Sequence, residues 1–167
     1  MLSHIDSDNQ PTMVDVSYKS VTDRQAHATA RVKLPVVVRD AIQDDDIRTA
    51  KGPVFQTAIV AGTMGAKRTH ELIPFCHPLG LESCKIGIRL DEGGDAVIDC
   101  AVRVHGKTGV EMEALAGVTV TALTIYDMCK GLSHDIIITD VRLVSKTGGK
   151  SESKTPSVAD ISDPGHE

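Results

Sequence analysis

The least polar stretch of the sequence is a run of 13 residues, 114–126, without a formally charged side chain. Acidic residues Glu111 and Glu113 precede it, and Asp127 and Lys130 follow it. Apolar residues recur at helical spacing, and the run is too long for an ordinary strand, although its β-branched residues would also suit one. We therefore predict a largely buried central helix with chemically active groups at both ends.

The two ends of this helix pose different questions. Thr108 and Glu111 have the spacing of a capping box, in which Thr108 is the N-cap and Glu111 reaches back to it, whereas Glu113 has no such structural role. Glu113 and Asp127 would lie about 21 Å apart along the axis at about 1.5 Å per residue. Either the ends serve different purposes, or symmetry brings the end of one copy near another part of its partner, which would place the site at an interface between subunits.

The remaining pattern predicts one more long helix and four strands. Small and apolar residues at helical spacing predict a helix over about 54–72, which Pro74 ends, and Pro35 begins a short helix through about Gln43. Alternating residues predict strands at 26–34, 81–91, 96–105 and 134–145. This order gives the α+β, ferredoxin-like β-α-β-β-α-β fold, an antiparallel sheet with helices on one face.

Polar segments divide the chain into an arm, a domain and a tail. We expect a flexible N-terminal arm over 1–12, a single catalytic domain over 13–150 and a flexible acidic tail over 151–167. Three segments have local predictions: a short strand or packed extended arm at 13–17, a solvated turn at 44–46 and a mobile basic loop at 146–150.

Charge and composition narrow the class of function. Most of the net charge of −5 lies in the terminal segments, so the rest of the chain is nearly neutral and does not favour nucleic-acid binding. Four Phe and Tyr residues and no Trp are too few for a base-stacking platform. No apolar run reaches the roughly 20 residues of a membrane span, and the N-terminus is unlike a secretory signal, so a cytoplasmic protein is expected.

Candidate chemistry lies in a loop and at the end of the central helix. His77 is held between two prolines, either as a ligand donor or acid–base group or as a structural residue, and its neighbour Cys76 is poorly placed for a nucleophilic dyad. Asp127 and Lys130 form either a surface ion pair or a proton shuttle. The cysteines lack zinc-site spacing, and no metal site is predicted.

Several longer motifs match one known family in order. They are MVDVS at 13–17, KG with VF at 51–55, AKRTHELIPFCHPL at 66–79, KTGVEMEAL at 107–115, LTIYDMCK at 123–130 and KTGGKS at 146–151. With these motifs the chain resembles the MoaC family of cyclic pyranopterin monophosphate synthases, which act in molybdenum cofactor biosynthesis.

The resemblance implies a non-redox rearrangement. The expected substrate is 3′,8-cyclo-7,8-dihydro-GTP, supplied by a preceding radical GTP cyclase, and the expected products are cyclic pyranopterin monophosphate and pyrophosphate. It also implies a homo-hexamer, a trimer of dimers with sites at the dimer interface. Mg²⁺ bound by the triphosphate is compatible with this chemistry.

Site residues are carried over motif by motif. Asp127 is the expected principal catalytic residue, paired with Lys130. The expected substrate-binding residues are Phe75, Cys76, His77, Met112, Glu113, Glu111, Lys51, Lys67, Arg68, Lys146 and Arg24. The alternative is a ferredoxin-like regulatory module that oligomerises and binds a nucleotide without turnover, but it leaves the ionic groups at both helix ends unexplained.

Overall fold

The structure, a computed structural model, describes residues 10–149, 151 and 153–154. Its elements, in chain order, are β1 (Thr22–Lys33), α1 (Val36–Arg39), β2 (Ile42–Gln43), β3 (Asp46–Thr49), β4 (Gly52–Pro53), α2 (Val54–Lys67), α3 (Thr69–Leu72), β5 (Ser83–Leu90), β6 (Ala96–Gly106), α4 (Glu111–Cys129), β7 (Ile137–Thr147) and β8 (Ser153–Lys154).

The main sheet confirms the predicted ferredoxin-like architecture. Its strand order is β5-β6-β1-β7-β8, and every neighbouring pair is antiparallel. Helix α4 packs on β1, β6 and β7, while α2 packs on α4 and β5. A second sheet, β2-β3-β4, was not predicted, because strands of two to four residues are too short to show a periodic pattern.

Alternation along β1 sets the face on which the helices pack. Ala26, Ala28, Ala30 and Val32 are buried, and the residues between them are only partly buried. Alanine side chains let the helix layer approach the sheet closely. The core is therefore built mainly from small and β-branched residues, and α4 lies at its centre.

Two glycines allow α2, α4 and the sheet to pack closely. A Cβ at Gly117 would lie 2.7 Å from the Cys100 sulfur, and one at Gly62 would lie 2.8 Å from the Gly117 carbonyl oxygen. Gly117 lowers the intrinsic helix propensity by about 1 kcal/mol relative to Ala, and this contact supplies the packing reason for it. Gly62 faces Thr121, whereas Ala66, one turn later in α2, lies beside Gly117, so the two helices run antiparallel.

The predicted capping box at the start of α4 is wrong. The N-cap is Val110, and no side-chain hydrogen bond caps the helix. Glu111 instead pairs with Lys146 of β7, with 3.0 Å between carboxylate oxygen and ammonium nitrogen. The Glu111 carboxylate therefore forms a tertiary ion pair instead of the capping hydrogen bond that the local sequence predicted.

The segment between β1 and α2 also differs from the prediction. Helix α1 ends at Arg39 instead of continuing to Gln43. Asp44 and Asp45 form a turn with φ of 50° and 61°, but Asp46 is buried and not solvated. One oxygen of its carboxylate accepts hydrogen bonds from the backbone N–H groups of Ile47 (2.6 Å) and Phe55 (2.7 Å). The acid is buried because it satisfies donors at the start of α2.

The predicted basic loop at 146–150 is wrong at its beginning. Lys146 and Thr147 belong to β7, and Lys146 pairs with Ala26 and Ser153 across the sheet. Lys150 lies outside the described residues. Within the predicted tail only Ser151 and β8 are described, so the flexibility assigned to 1–12 and 151–167 stays a prediction. Residues 12–16 form no strand, which favours the packed extended arm.

Candidate active site

The N-terminal end of α4 borders a cavity of about 430 Å³, here called the arm cavity. Its walls come from the N-terminal arm, the proline-flanked loop and the first turn of α4. The cavity brings together six of the predicted substrate-binding residues: Phe75, Cys76, His77, Glu111, Met112 and Glu113.

Glu113 is the most perturbed acid in this cavity. Only 4% of the residue is exposed. Burial raises the pKa of its carboxyl to about 7, and the negative charge of Glu111 adds to the shift. A carboxyl with this pKa exchanges its proton near neutral pH, which suits general acid–base catalysis.

The proline-flanked loop presents a neutral thiol and an oriented imidazole. Burial raises the pKa of the Cys76 thiol, and the nearby Glu113 raises it further, so Cys76 stays protonated. His77 Nε2 donates to the Val14 carbonyl oxygen at 2.9 Å. These contacts do not support a Cys76–His77 nucleophilic dyad, and they leave both residues facing the arm cavity.

Two cationic residues that were predicted to bind substrate, Lys146 and Arg24, lie close to the arm cavity. Lys146 reaches it through the ion pair with Glu111. Arg24 points its guanidinium at the backbone, with Nε 3.0 Å from the Gly106 carbonyl oxygen and Nη2 3.2 Å from that of Lys107. Arg24 lines a neighbouring cavity of about 430 Å³, which shares two arm residues with the arm cavity.

Lys67 and Arg68 lie at the C-terminal end of α2. Lys67 lines a third cavity, also of about 430 Å³. Leu79 belongs to that cavity and to the arm cavity, so the two adjoin. The Arg68 backbone N–H caps α2 by donating to the carbonyl oxygens of Met64 and Gly65, and its side chain is exposed.

A second cluster of charged side chains lies at the C-terminal end of α4. The Asp127 carboxylate accepts from Lys130 Nζ at 2.7 Å and from Lys51 Nζ at 2.8 Å, and Lys51 also binds the Asp127 carbonyl oxygen. These hydrogen bonds, first that of Lys130 and then that of Lys51, lower the pKa of Asp127 to about 2. All three side chains are about half exposed. Asp127 is therefore an anion held between two ammonium groups.

One chain does not combine these two clusters. Glu113 and Asp127 are separated by about 21 Å of helix rise, as the spacing predicted. The helix layer also leaves apolar side chains in solvent, since Val60 and Leu123 are 61% and 55% exposed and Met64 is 48% exposed. Such a surface is available for contact with another subunit.

Sequence reasoning missed the part that the N-terminal arm plays in the site. Val14, Val16, Tyr18 and Lys19 line the arm cavity, together with Thr108. The MVDVS motif marks this segment, but nothing local in it indicates contact with a loop more than 60 residues away.

The described residues also limit other interpretations. Within 10–149, 151 and 153–154, no helix is long and apolar enough to cross a membrane. In the same ranges, no three His, Cys, Asp or Glu side chains are grouped so that they could hold a metal ion. A groove of about 350 Å³ on the sheet, lined partly by His27 and Arg103, contains none of the predicted site residues.

A ferredoxin-like domain with acids, an imidazole and ammonium groups around small cavities has the groups of an acid–base enzyme acting on a small anionic molecule. The comparison with known proteins refines this class. The chain belongs to the MoaC family, whose model matches residues 13–149.

Curated relatives extend the similarity over nearly the whole chain. A cyclic pyranopterin monophosphate synthase of Xanthomonas axonopodis pv. citri is 54% identical over 90% of this chain and 92% of its own length. A molybdenum cofactor biosynthesis bifunctional protein of Synechocystis sp. is 50% identical over 93% of this chain and 46% of its own. Molybdenum cofactor biosynthesis protein 1 of Dictyostelium discoideum is 49% identical over 90% of this chain and 27% of its own.

Proposed function

We propose that this protein is a cyclic pyranopterin monophosphate synthase of molybdenum cofactor biosynthesis. It converts 3′,8-cyclo-7,8-dihydro-GTP to cyclic pyranopterin monophosphate and pyrophosphate. The observation that carries the proposal is 54% identity, over nine-tenths of both chains, to a Xanthomonas protein of that name.

We assign to the residues of the arm cavity the proton transfers that rearrange the purine-derived base of the substrate. Opening a purine-derived ring and closing a pterin requires groups that both give and accept protons. Glu113, with a pKa of about 7, does so at neutral pH, and His77 presents its imidazole to the same cavity. Cys76 remains a thiol and contributes to binding.

We assign the phosphate chemistry to the cluster that Asp127, Lys51 and Lys130 form at the C-terminal end of α4. Cyclising the phosphate and releasing pyrophosphate gathers negative charge, which Lys51 and Lys130 stabilise. In the free protein these ammonium groups hold Asp127 as an anion with a pKa of about 2. When phosphate oxygens compete for the lysines, the pKa of Asp127 rises, and the carboxylate becomes a stronger base next to the reacting groups.

Mg²⁺ carried by the triphosphate stays a prediction. Among the described residues, no group of carboxylates and imidazoles fits a metal ion. The side chains of the described residues therefore do not provide a Mg²⁺ cage, and the proposed steps assign roles only to protein residues.

The proposed assembly is a hexamer, a trimer of dimers, with the active site at the dimer interface. The support is the distance between the two clusters together with the exposed apolar side chains on α2 and α4. A two-fold axis near the middle of α4 would bring the Glu113 end of one helix to the Asp127 end of its partner, because an isologous contact pairs opposite ends.

The same pathway supplies the proposed partner. The substrate comes from a radical GTP cyclase, and similarity to a protein described as bifunctional in molybdenum cofactor biosynthesis supports close association of two activities. We assign both reactions to the cytoplasm.

The direct test is product formation. Purified protein is incubated with enzymatically made 3′,8-cyclo-7,8-dihydro-GTP, and pyrophosphate and the pterin product are measured together. The proposal expects both in equal amounts. Substrate that is bound but recovered unchanged would favour the alternative, a nucleotide-binding module without turnover.

A further inference from the structure

The N-terminal arm forms one wall of the arm cavity. Val14 and Val16 are half-buried and line the cavity. Met13, which directly precedes Val14, is 48% exposed. Tyr18 and Lys19 continue the wall. Apart from a single β-bridge at Pro11, residues 10–16 make no strand pairing, so side-chain contacts contribute much of the order of this part of the arm.

Two side chains from the body of the domain hold the arm by its carbonyl groups. His77 Nε2 lies 2.9 Å from the Val14 carbonyl oxygen, and Lys107 Nζ lies 2.7 Å from that of Ser17. Asp15 accepts hydrogen bonds from the Ser17 backbone N–H and hydroxyl at 2.8 and 3.1 Å, which fixes the turn that presents the Ser17 carbonyl.

Lys107 is itself fixed to the rest of the site. It lies between β6 and α4, four residues before Glu111, and Arg24 holds its carbonyl oxygen and that of Gly106. The Lys107 ammonium also attracts Asp15, and this attraction adds to the effect of the Ser17 hydrogen bonds in lowering the pKa of Asp15. One lysine thus connects the arm to the segment that leads into the catalytic helix.

We propose that Lys107 is a positioning residue that clamps the N-terminal arm over the arm cavity and thereby sets how tightly the substrate is held. Ordering an extended segment costs conformational entropy, so an arm with few tethers depends on each of them. Bonds from an ammonium to a carbonyl are among the stronger hydrogen bonds, and this one is the tether nearest the turn at Ser17. The effect on substrate binding rests on the proposed function, whereas the clamp itself does not.

Three variants separate the clamp from general damage. Lys107→Met removes the donor and keeps the side-chain length, and Lys107→Arg restores a cationic donor. Lys85→Met makes the same change at an exposed position of β5, outside the arm cavity. Amide hydrogen exchange over residues 13–20, measured on the full chain, reports arm docking, while kcat and KM report catalysis.

We expect Lys107→Met to speed exchange in residues 13–20 and to raise KM by about three- to tenfold, as loss of one solvent-exposed hydrogen bond implies, with kcat within about twofold. Lys107→Arg should recover most of both changes, and Lys85→Met should match the unmodified protein. Unchanged exchange in Lys107→Met would overturn the clamp whatever the activity. Faster exchange with unchanged KM would overturn its role in substrate positioning.

A failure of the proposed function would look different. In that case the unmodified protein would make no product, while the exchange data would still decide whether Lys107 holds the arm.

Discussion

Glu113 and Asp127 lie on one helix in opposite electrostatic surroundings. Burial raises the pKa of Glu113 to about 7, whereas two lysines lower the pKa of Asp127 to about 2. Environments that separate two carboxyl groups in this way allow one to exchange protons near neutral pH while the other stays charged. The sequence located both acids, but burial and the approach of Lys51 depend on tertiary contacts that no local pattern encodes.

Replacing Glu113 by Gln should change the pH dependence of stability. The folded-state pKa lies above the unfolded value, so burial of the neutral carboxyl is tolerated below about pH 4.5, and the cost of burying it grows as the pH rises from there to about 7 and is constant above that. Glu113→Gln should therefore be about as stable as the unmodified protein at pH 4.5 and roughly 2 kcal/mol more stable at pH 8, after allowance for solvent screening.

Urea unfolding at both pH values and at fixed protein concentration measures this difference. Glu71→Gln, an exposed acid in α3, is the control and should show little change. Equal pH dependence in Glu113→Gln and the unmodified protein would show that Glu113 does not titrate near neutral pH.

Replacing Asp127 by Asn should remove catalysis and leave the fold intact. The side chain is about half exposed, so folding depends little on it, but the amide cannot act as a base. We expect kcat to fall by at least about 100-fold, the lower range for loss of an acid–base group, with the oligomeric state unchanged.

Turnover and native mass are measured side by side for this variant. Asp135→Asn, an exposed acid in the segment after α4, serves as the matched control. Full activity in Asp127→Asn would remove Asp127 from the catalytic role.

At the level of elements, long periodic segments were predictable and local details were not. The α4 run was predicted to be a helix mainly because it is too long for a strand, and the β5–β6 hairpin was predicted from alternation and a turn; both were confirmed. The prediction of a capping box at the start of α4 was wrong because Glu111 forms an ion pair with Lys146, 35 residues later. The prediction that Asp46 is solvated was wrong because one of its hydrogen-bond donors, the Phe55 N–H, lies in the following helix. In both cases a distant partner decided the role of an acid.

The close packing of α4 against the sheet gives a testable stability difference. Alanine at Gly117 would gain about 1 kcal/mol of helix propensity, but its Cβ would lie 2.7 Å from the Cys100 sulfur. Since overpacking a core costs about 1–3 kcal/mol, we expect Gly117→Ala to be destabilising by about 1 kcal/mol net.

Gly131→Ala is the control, because a Cβ there meets no atom within 4 Å. Chemical denaturation of the two variants measures the difference. A Gly117→Ala variant as stable as the unmodified protein would mean that α4 moves away from the sheet at little cost.

At the scale of the whole molecule, the sequence predicted the fold class and led to the expectation of a second subunit, but it did not indicate which surface is available for such a contact. The order of strands and helices was sufficient for the ferredoxin-like topology. The length of α4 separates Glu113 from Asp127, and this separation motivates a site shared between subunits. Which apolar side chains face solvent, Leu123 among them, emerged only from the packed structure.

The shared site is tested most directly by mixing two inactive subunits. Asp127→Asn and Glu113→Gln chains are co-expressed with different tags, and the mixed assemblies are purified and assayed for pyrophosphate and pterin product. If each site takes Asp127 from one subunit and Glu113 from its partner, random mixing should restore about a quarter of the unmodified activity. Mixed assemblies as inactive as either parent would contradict a site formed from both ends of α4 across the interface.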